Sequence, residues 1–190
     1  MSASFGEGGG CVVWLTGPPS AGKSTLAALL EAELIAQRQR VERLDGDELR
    51  ARLCKDLGFS REDRDENVRR TAYLAKLLAR HGVVVLVALI SPYRAAREAA
   101  RAEIPSFVEV YVRCAIEECI RRDVKGLYKK ALAGELAAFT GVSDPYEPPL
   151  DPDVVVETDR ETVAESAAKI LDALAARGYA TARPSEVRNG

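Results

Sequence analysis

Histidine is almost missing from this 190-residue chain, which carries a single one, His81, directly before Gly82. One histidine argues against catalysis by a Ser-His or Cys-His pair. Its place at the end of a predicted helix instead favours an interaction with the helix dipole. Cysteine is also scarce, and the four residues show neither a CxxC pair nor the spacing of zinc ligands. We expect reduced thiols at all four positions, which are Cys11, Cys54, Cys114 and Cys119.

An excess of one charge sign and long apolar runs are missing as well. The 27 Lys and Arg residues nearly balance the 29 Asp and Glu residues, and the net charge is −2. Such a balance gives no general attraction to nucleic acid or to an anionic membrane. The longest apolar run, residues 83–90, is too short to cross a bilayer. We therefore expect a cytoplasmic protein with no nucleic-acid and no membrane partner.

What the chain does have is an alternation of short apolar runs and helical patterns, without an internal repeat. Strands separated by long helices predict right-handed crossovers and a five-stranded parallel sheet with helices on both faces, an α/β fold. The strands are expected at 12–15, 41–44, 83–90, 108–112 and 154–156, and the helices at about 26–37, 47–55, 61–80, 93–103, 115–123 and 162–177. The predicted organisation is a flexible lead-in over 1–10, one domain over 11–180 and a tail over 181–190.

The segment Gly17-Pro-Pro-Ser-Ala-Gly-Lys-Ser24, followed by Thr25, has the spacing of a phosphate-binding P-loop. It follows an apolar strand and ends on a predicted helix N-terminus, which favours an anion. Lys23 would lie near the β- and γ-phosphates of ATP, and Ser24 would ligate Mg²⁺. Both flanks disfavour the alternative, a plain glycine turn. The predicted nucleotide contacts are Gly17, Ser20, Ala21, Gly22, Lys23, Ser24 and Thr25.

Two carboxylates follow the second predicted strand, Asp45 and Asp47 on either side of Gly46. Ligands of open parallel sheets bind beyond the carboxyl ends of the strands, where the P-loop also lies. We therefore expect the pair to act on a hydroxyl group or on magnesium-bound water, as a kinase requires. The alternative is that Asp45 or Gly46 simply caps the following helix.

A candidate anion-binding set surrounds the start of the third predicted helix, which Ser60 caps. Arg50 and Arg64 are suited to clamp a phosphate or sulfate in bidentate fashion. Asn67 follows Arg64 by three residues and shares its helix face, and Phe59 is placed to stack on a base. The other charges of this helix are interpreted as a solvated face.

The third predicted strand runs into Ile90-Ser91-Pro92. Ser91 and Pro92 form an N-cap and first-turn pair for the next helix, and Ser91 is also placed to contact a substrate. No Asp follows this strand. Magnesium would therefore rely on Ser24, the phosphates, water and the two carboxylates after the second strand.

Residues 124–149 interrupt the alternation with glycines and prolines among charged residues. A loop of this length inside one domain is usually functional, and we interpret it as a mobile lid over the site. The alternative is a disordered surface insertion. Its apolar residues favour the lid because they suffice for docking; they are Leu127, Tyr128, Leu132, Leu136 and Phe139.

Together these blocks resemble the adenylylsulfate kinases, P-loop enzymes that phosphorylate adenosine 5′-phosphosulfate. The resemblance extends from Trp14 to about Thr158 and depends on the order and spacing of all the blocks. They are Leu44-Asp-Gly-Asp47, Asp56-Leu-Gly-Phe-Ser60, Asp63-Arg64 with Glu66-Asn-Val-Arg-Arg70, Ile90-Ser-Pro-Tyr-Arg94, Arg122-Asp-Val-Lys-Gly-Leu-Tyr-Lys-Lys130, Phe139-Thr-Gly141 and Pro145-Tyr-Glu-Pro-Pro149.

The resemblance implies transfer of the γ-phosphoryl group of ATP to the 3′-hydroxyl of adenosine 5′-phosphosulfate, giving 3′-phosphoadenylyl sulfate and ADP in sulfate assimilation. By the same resemblance, Asp47 serves the 3′-hydroxyl and the family's serine at position 91 is sometimes assigned as a phosphoserine intermediate. Family members are commonly homodimers. The substrate contacts that the residues and the resemblance together predict are Asp45, Arg50, Phe59, Arg64, Asn67, Ile90, Ser91, Lys125 and Phe139.

Two departures from the family pattern keep other functions open. Pro18, Pro19 and Ser20 stand where the family usually has Leu-Ser-Gly, so Ser20 must adopt a backbone conformation that glycine usually supplies. Glu48 adds a negative charge near an anionic substrate unless its side chain points away. The alternatives are a P-loop kinase acting on another small hydroxyl compound and a nucleotide-binding regulatory module.

Overall fold

The computed structural model describes residues 9–181, and the strands of this part of the chain form one parallel sheet in the order β2-β3-β1-β4-β5. The predicted five-stranded parallel α/β fold is confirmed. Except for residues 9, 10 and 181, the predicted lead-in and tail lie outside the described residues. The strands are β1 (Cys11–Thr16), β2 (Val41–Asp45), β3 (Val84–Ala88), β4 (Phe107–Arg113) and β5 (Val154–Glu157).

Six helices coincide with predicted ones to within a few residues at each end. A further short helix, α6, lies in the segment interpreted as a lid, where no helix was predicted because six residues are too few to show a helical period. The helices are α1 (Lys23–Ala36), α2 (Gly46–Arg52), α3 (Arg61–Arg80), α4 (Arg94–Glu103), α5 (Ile116–Arg122), α6 (Leu127–Leu132) and α7 (Val163–Ala176).

Side chains of β1 alternate between two cores, one on each face of the sheet. Val13 and Leu15 pack with residues of α1 and α7, whereas Val12 and Trp14 pack with residues of α3 and α4. This period of two within a continuously apolar strand is what a sheet covered on both faces requires. The central strand is therefore buried on both faces up to the point where the P-loop leaves it.

The strand register brings several carboxyl ends to the same edge. Ala88 of β3 pairs with Leu15 of β1 and with Asp45 of β2. Strand β3 ends at Ala88, two residues before the predicted end. The run stays apolar beyond it because Leu89 leaves the sheet but still packs in the core beneath α3 and α4.

Helix ends follow the sequence at α3 and depart from it at α4. The Ser60 hydroxyl accepts a hydrogen bond from the Asp63 amide at 3.1 Å, and His81 occupies the C-terminal cap position of α3. The prediction that Ser91 caps α4 is wrong, because that helix begins at Arg94 with no cap from a neighbouring side chain. The Arg94 amide instead donates to Glu147 Oε2 at 2.8 Å, across more than fifty residues.

Candidate active site

The P-loop joins β1 to α1 and uses two residues in the left-handed region of backbone space. Gly22 has φ of 95°, and Ser20 has φ of 59°, a conformation that is uncommon for a residue with a Cβ atom. Gly17 is required for a different reason, since a Cβ there would lie 2.4 Å from the Val112 carbonyl oxygen. The departure from the family pattern at Ser20 is thus accommodated by a strained serine.

Lys23 is the buried charge of this loop. Its Nζ donates to the carbonyl oxygens of Gly17 and Pro18 at 2.8 and 2.7 Å. Burial lowers the pKa of Lys23 to about 8, against smaller opposing effects that include the charge of Asp45. An anion bound in the loop would favour the charged form, so this lysine is suited to phosphate.

Asp45 caps α2, as the structural alternative predicted, and it also contacts Ser24 of the P-loop. Its Oδ1 accepts from the Asp47 amide at 3.0 Å and caps α2, while its Oδ2 accepts from the Ser24 hydroxyl at 2.6 Å. A hydroxyl and a carboxylate in contact are hard oxygen ligands of the kind that Mg²⁺ prefers. Among residues 9–181 no group of three His, Cys, Asp or Glu side chains forms a metal site, so phosphate and water would complete the coordination.

Asp47 is exposed at the cavity mouth, and its carboxylate forms an ion pair with Lys125 Nζ. The pair connects α2 with the segment that follows α5. Glu48 instead pairs with Arg52 at 3.0 Å and does not line the cavity. The charge that departs from the family pattern therefore points away from the candidate substrate.

One cavity of about 600 Å³ runs along the P-loop between α2, α3 and the segment interpreted as a lid. Its size is that of a site for one or two small organic ligands. Of the predicted nucleotide contacts, Gly17 and Ala21 do not line the cavity. Both are buried within the loop. The cavity is lined by the other predicted site residues, which are Ser20, Gly22, Lys23, Ser24, Thr25, Asp45, Asp47, Arg50, Phe59, Arg64, Asn67, Ile90, Ser91, Lys125 and Phe139.

Two guanidinium groups and an aromatic ring form one end of this cavity. Arg50 lies over the Phe59 ring, 4.4 Å from its centroid, and Arg64 donates to the carbonyl oxygens of Phe59 and Ala138 at 3.0 and 2.5 Å. Burial first, and then the charge of Arg64, lower the pKa of Arg50. An anion placed between the two arginines would relieve their repulsion.

Asn67 is the most informative residue at this end. It is buried at 2% exposure, and neither its amide nitrogen nor its amide oxygen has a hydrogen-bond partner. A buried amide without partners costs free energy, and a ligand or water in the cavity would supply the missing hydrogen bonds. Nearby, Phe59 is 59% exposed, and Phe139 is braced by an edge contact with Tyr128, with ring centroids 5.0 Å apart.

Ser91 is buried and has φ of 40°. Its hydroxyl accepts from Trp14 Nε1 and donates to Thr16 Oγ1, both at 3.0 Å. These bonds replace the helix cap that the sequence predicted. Because Trp14 and Thr16 both belong to β1, these two hydrogen bonds hold the backbone at Ser91 against that strand.

Sequence reasoning assigned no role to three residues at the opposite end of the cavity, which are Arg122, Thr158 and Val163. Arg122 Nη2 donates to the Thr158 carbonyl at 2.6 Å, and the Thr158 hydroxyl donates to the Ala21 carbonyl at 2.8 Å. Arg122 opens one of the blocks that carry the family resemblance, which was the available signal. The other two follow a strand end that carries no motif.

The segment after α5 reaches over the P-loop from one side. Asp123 accepts from the amides of Tyr128 and Lys129 at the start of α6. The Tyr128 side chain is buried, and its hydroxyl donates to the Pro19 carbonyl at 3.1 Å. The apolar docking expected of this segment is present at Tyr128, whereas Leu132 is 60% exposed.

Comparison with known proteins decides the family. The family model for adenylylsulphate kinase matches residues 9–157. This chain belongs to the adenylylsulphate kinase family. The predicted resemblance is confirmed, and so is the expectation of a kinase.

Relatives within the family match most of the chain. An adenylyl-sulfate kinase of Microcystis aeruginosa is 55% identical over 90% of this chain and 94% of its own length. A probable bifunctional SAT/APS kinase of Sorangium cellulosum is 58% identical over 94% of this chain, which spans only 31% of that relative. The structure of the Mycobacterium tuberculosis APS kinase in complex with AMPPNP and APS superimposes with a TM-score of 0.84, at 44% identity, over 87% of this chain and 97% of the other.

Proposed function

We propose that this protein transfers the γ-phosphoryl group of ATP to the 3′-hydroxyl of adenosine 5′-phosphosulfate, yielding 3′-phosphoadenylyl sulfate and ADP in sulfate assimilation. The observation that carries the proposal is the buried, unpartnered amide of Asn67 beside Arg50 and Arg64, in the same cavity as the P-loop. The family relationship and the structure of a relative with APS and AMPPNP support the same pair of ligands.

In this proposal the two nucleotides lie at opposite ends of the cavity and meet at the P-loop. ATP places its phosphates on the loop amides and Lys23, with its base toward Arg122 and Thr158. The acceptor places its adenine between Phe59 and Phe139, because both rings line the other end.

The polar groups of that end hold the remainder of the acceptor. Its anionic group lies against Arg50 and Arg64, and Asn67 hydrogen-bonds the nucleotide. The backbone at Ile90 and Ser91 completes this wall of the cavity.

Ser24 and Asp45 would hold Mg²⁺, because a hydroxyl and a carboxylate 2.6 Å apart are suitable oxygen ligands. When bound, this ion neutralises charge that develops on the β- and γ-phosphates. The chain's own residues do the rest: Lys23 orients the phosphates, and Lys125 adds positive charge from the segment above them.

Asp47 accepts the proton of the attacking hydroxyl. The 3′-oxygen forms a bond to the γ-phosphorus while the bond from that phosphorus to the bridging oxygen of ADP breaks. The proton released from the 3′-hydroxyl passes to the Asp47 carboxylate. Direct transfer of this kind needs no covalent stage at Ser91, whose hydroxyl is already held by Trp14 and Thr16.

We also propose that residues 124–149 are a lid that closes over both ligands. The contacts that support this assignment reach three separate parts of the site, from Tyr128 to Pro19, from Lys125 to Asp47 and from Ala138 to Arg64. A closed lid would exclude water from the reacting phosphate.

The test is ADP release in a coupled assay, with and without adenosine 5′-phosphosulfate. We expect release to depend on this acceptor, and Asp47→Asn to lower turnover by about a hundredfold or more while the Kd for ATP changes less than about twofold. Glu48→Gln is the matched control because it removes the adjacent carboxylate, which faces Arg52. The proposal would be refuted if the rate of ADP release were the same with and without adenosine 5′-phosphosulfate. It would also be refuted if another nucleotide or a sugar raised that rate more.

Oligomeric state and location complete the proposal. We propose a homodimer, as the family resemblance implies, and a cytoplasmic location. No helix between residues 9 and 181 is both long and apolar enough to span a membrane. Light scattering at micromolar concentration and cell fractionation test the two statements, and a monomer or a membrane-bound pool would contradict them.

A further inference from the structure

A buried arginine outside the cavity connects three separated parts of the chain. The Arg97 side chain is 1% exposed and lies on α4. Its Nε donates to Glu109 Oε1 of β4 at 3.0 Å. Its Nη1 donates to the Ser91 carbonyl at 2.6 Å, and its Nη2 to the Glu147 carbonyl at 2.5 Å. The planar guanidinium thus fixes a cavity wall and the far end of the lid relative to the central sheet.

The far end of the lid is docked on the same region by further bonds. The Glu147 amide donates to the Pro92 carbonyl at 2.9 Å, and its carboxylate accepts from the Arg94 amide. The Tyr146 hydroxyl lies 3.0 Å from Thr16 Oγ1, one residue before the P-loop. These contacts hold Tyr146 and Glu147 to β1 and to the start of α4.

Arg97 contacts a segment of strained backbone at Ser91. Ser91 has φ of 40°, which persists only where the surroundings enforce it. The preceding carbonyl, that of Ile90, accepts from Thr16 Oγ1 at 2.8 Å. Ile90 and Ser91 line the cavity and Arg97 does not, so any effect of Arg97 on a ligand passes through this backbone.

We propose that Arg97 is a positioning residue for the acceptor nucleotide. It holds the Ile90–Ser91 backbone against the acceptor and makes residues 144–149 the fixed end of the lid, so that closure is confined to the part before Phe139. This inference rests on the proposed function where it concerns the acceptor. Its statement about the lid is independent of activity.

The first experiment compares Arg97→Lys with Arg101→Lys. Lysine keeps the charge beside Glu109 but loses the fork that reaches two carbonyls. Arg101 lies one turn further along α4 and also contacts Glu109, at 3.2 Å, but not Ser91 or Glu147. We expect Arg97→Lys to raise the KM for adenosine 5′-phosphosulfate by about tenfold and to leave the KM for ATP within about twofold, and Arg101→Lys to change neither.

Two structural readouts separate positioning from general damage. Trp14 is the sole tryptophan and donates to Ser91, so its emission should shift in Arg97→Lys and not in Arg101→Lys. Hydrogen exchange should be slow at the Glu147 amide, which donates to the Pro92 carbonyl, in the wild type and selectively faster in Arg97→Lys. These two readouts do not require activity. If the wild type did not phosphorylate adenosine 5′-phosphosulfate, the proposed function would be refuted, but the statement about the lid could still be tested.

A second pair of variants covers the case in which Arg97→Lys does not fold. Arg97→Gln combined with Glu109→Gln removes both buried charges together and avoids leaving one unpaired. Arg101→Lys again serves as the control, because it leaves the bonds from Arg97 to Ser91 and Glu147 in place. Equal changes in both KM values, or unchanged exchange at the Glu147 amide in a folded variant, would overturn the inference.

Discussion

At the scale of single residues, the P-loop depends on strain and burial that its motif does not display. Ser20 adopts φ of 59°, and such a conformation costs a non-glycine residue about 1 kcal/mol or more. Lys23 bonds to carbonyl oxygens of its own loop in a buried position. An anion bound in the loop would favour the charged form of this buried lysine.

The first prediction concerns the charge of Lys23. Because its pKa lies near 8 in the folded protein, below its usual 10.5, the folded chain binds fewer protons than the unfolded chain between these values. Taken alone, this group therefore makes folding more favourable as pH rises through that window. ATP prefers the charged form, so its affinity should fall by about fivefold between pH 8 and pH 9 as that form is lost.

Isothermal titration in two buffers of different ionisation enthalpy measures this effect as proton uptake on ATP binding near pH 8.5. Lys129→Met is the control and should retain the uptake, because Lys129 does not line the cavity. Cys119 cannot supply it, since burial raises the pKa of that thiol to about 12. Affinity that stays constant from pH 8 to pH 9 would contradict the assignment.

At the scale of elements, helix α3 carries Arg64 and Asn67, the side chains proposed to bind the acceptor, and a single hydroxyl caps its start. Ser60 accepts from the Asp63 amide, one turn before Arg64 and Asn67 face the cavity. An N-cap of this kind orients the first turn of a helix. The orientation of Arg64 is therefore expected to depend on a residue that does not line the cavity.

The second prediction tests that cap. Ser60→Ala should lower the free energy of unfolding by about 1 kcal/mol, because one amide of the first turn loses its acceptor. Ser60→Asp restores an acceptor at the same position and should remain close to the wild type. Urea denaturation of both variants measures the difference. Equal stability of the alanine and aspartate variants would show that the cap is not what starts the helix.

At the scale of the whole molecule, the site is completed by contacts between elements that are distant in sequence. Lys125 meets Asp47 across the cavity mouth, and both side chains are more than half exposed. Exposed ion pairs contribute little to stability because solvent screens them and ordering costs side-chain entropy. The value of this pair would therefore lie in catalysis.

The third prediction separates the contribution of this ion pair to stability from its contribution to catalysis. Lys125→Met should change the free energy of unfolding by less than about 1 kcal/mol. It should lower kcat/KM by about tenfold or more, because a positive charge above the phosphates is lost. Lys129→Met, four residues along the same segment, is the matched control. A loss of stability without a loss of activity would place Lys125 in the framework rather than in the mechanism.

Several features were predictable because their cause is local. Ser60 as a cap, the P-loop from 17 to 24 and the five strands follow from spacing, propensity and apolar period. Other predictions failed where a distant partner was stronger than a local preference. Ser91 has the sequence of a helix cap, yet its hydroxyl bonds to Trp14 and Thr16, more than seventy residues away.

The amino-acid sequence by itself determined the order of elements, the phosphate loop and the family, because each is encoded by neighbouring residues. Only the tertiary structure decided that Asp45 both caps α2 and holds Ser24, that the unpaired amide of Asn67 faces the cavity, and that Arg97 joins Ser91 to Glu147. The physical reason is that hydrogen bonds and burial depend on which elements pack together. The spacing of residues along the chain does not by itself specify which elements pack together.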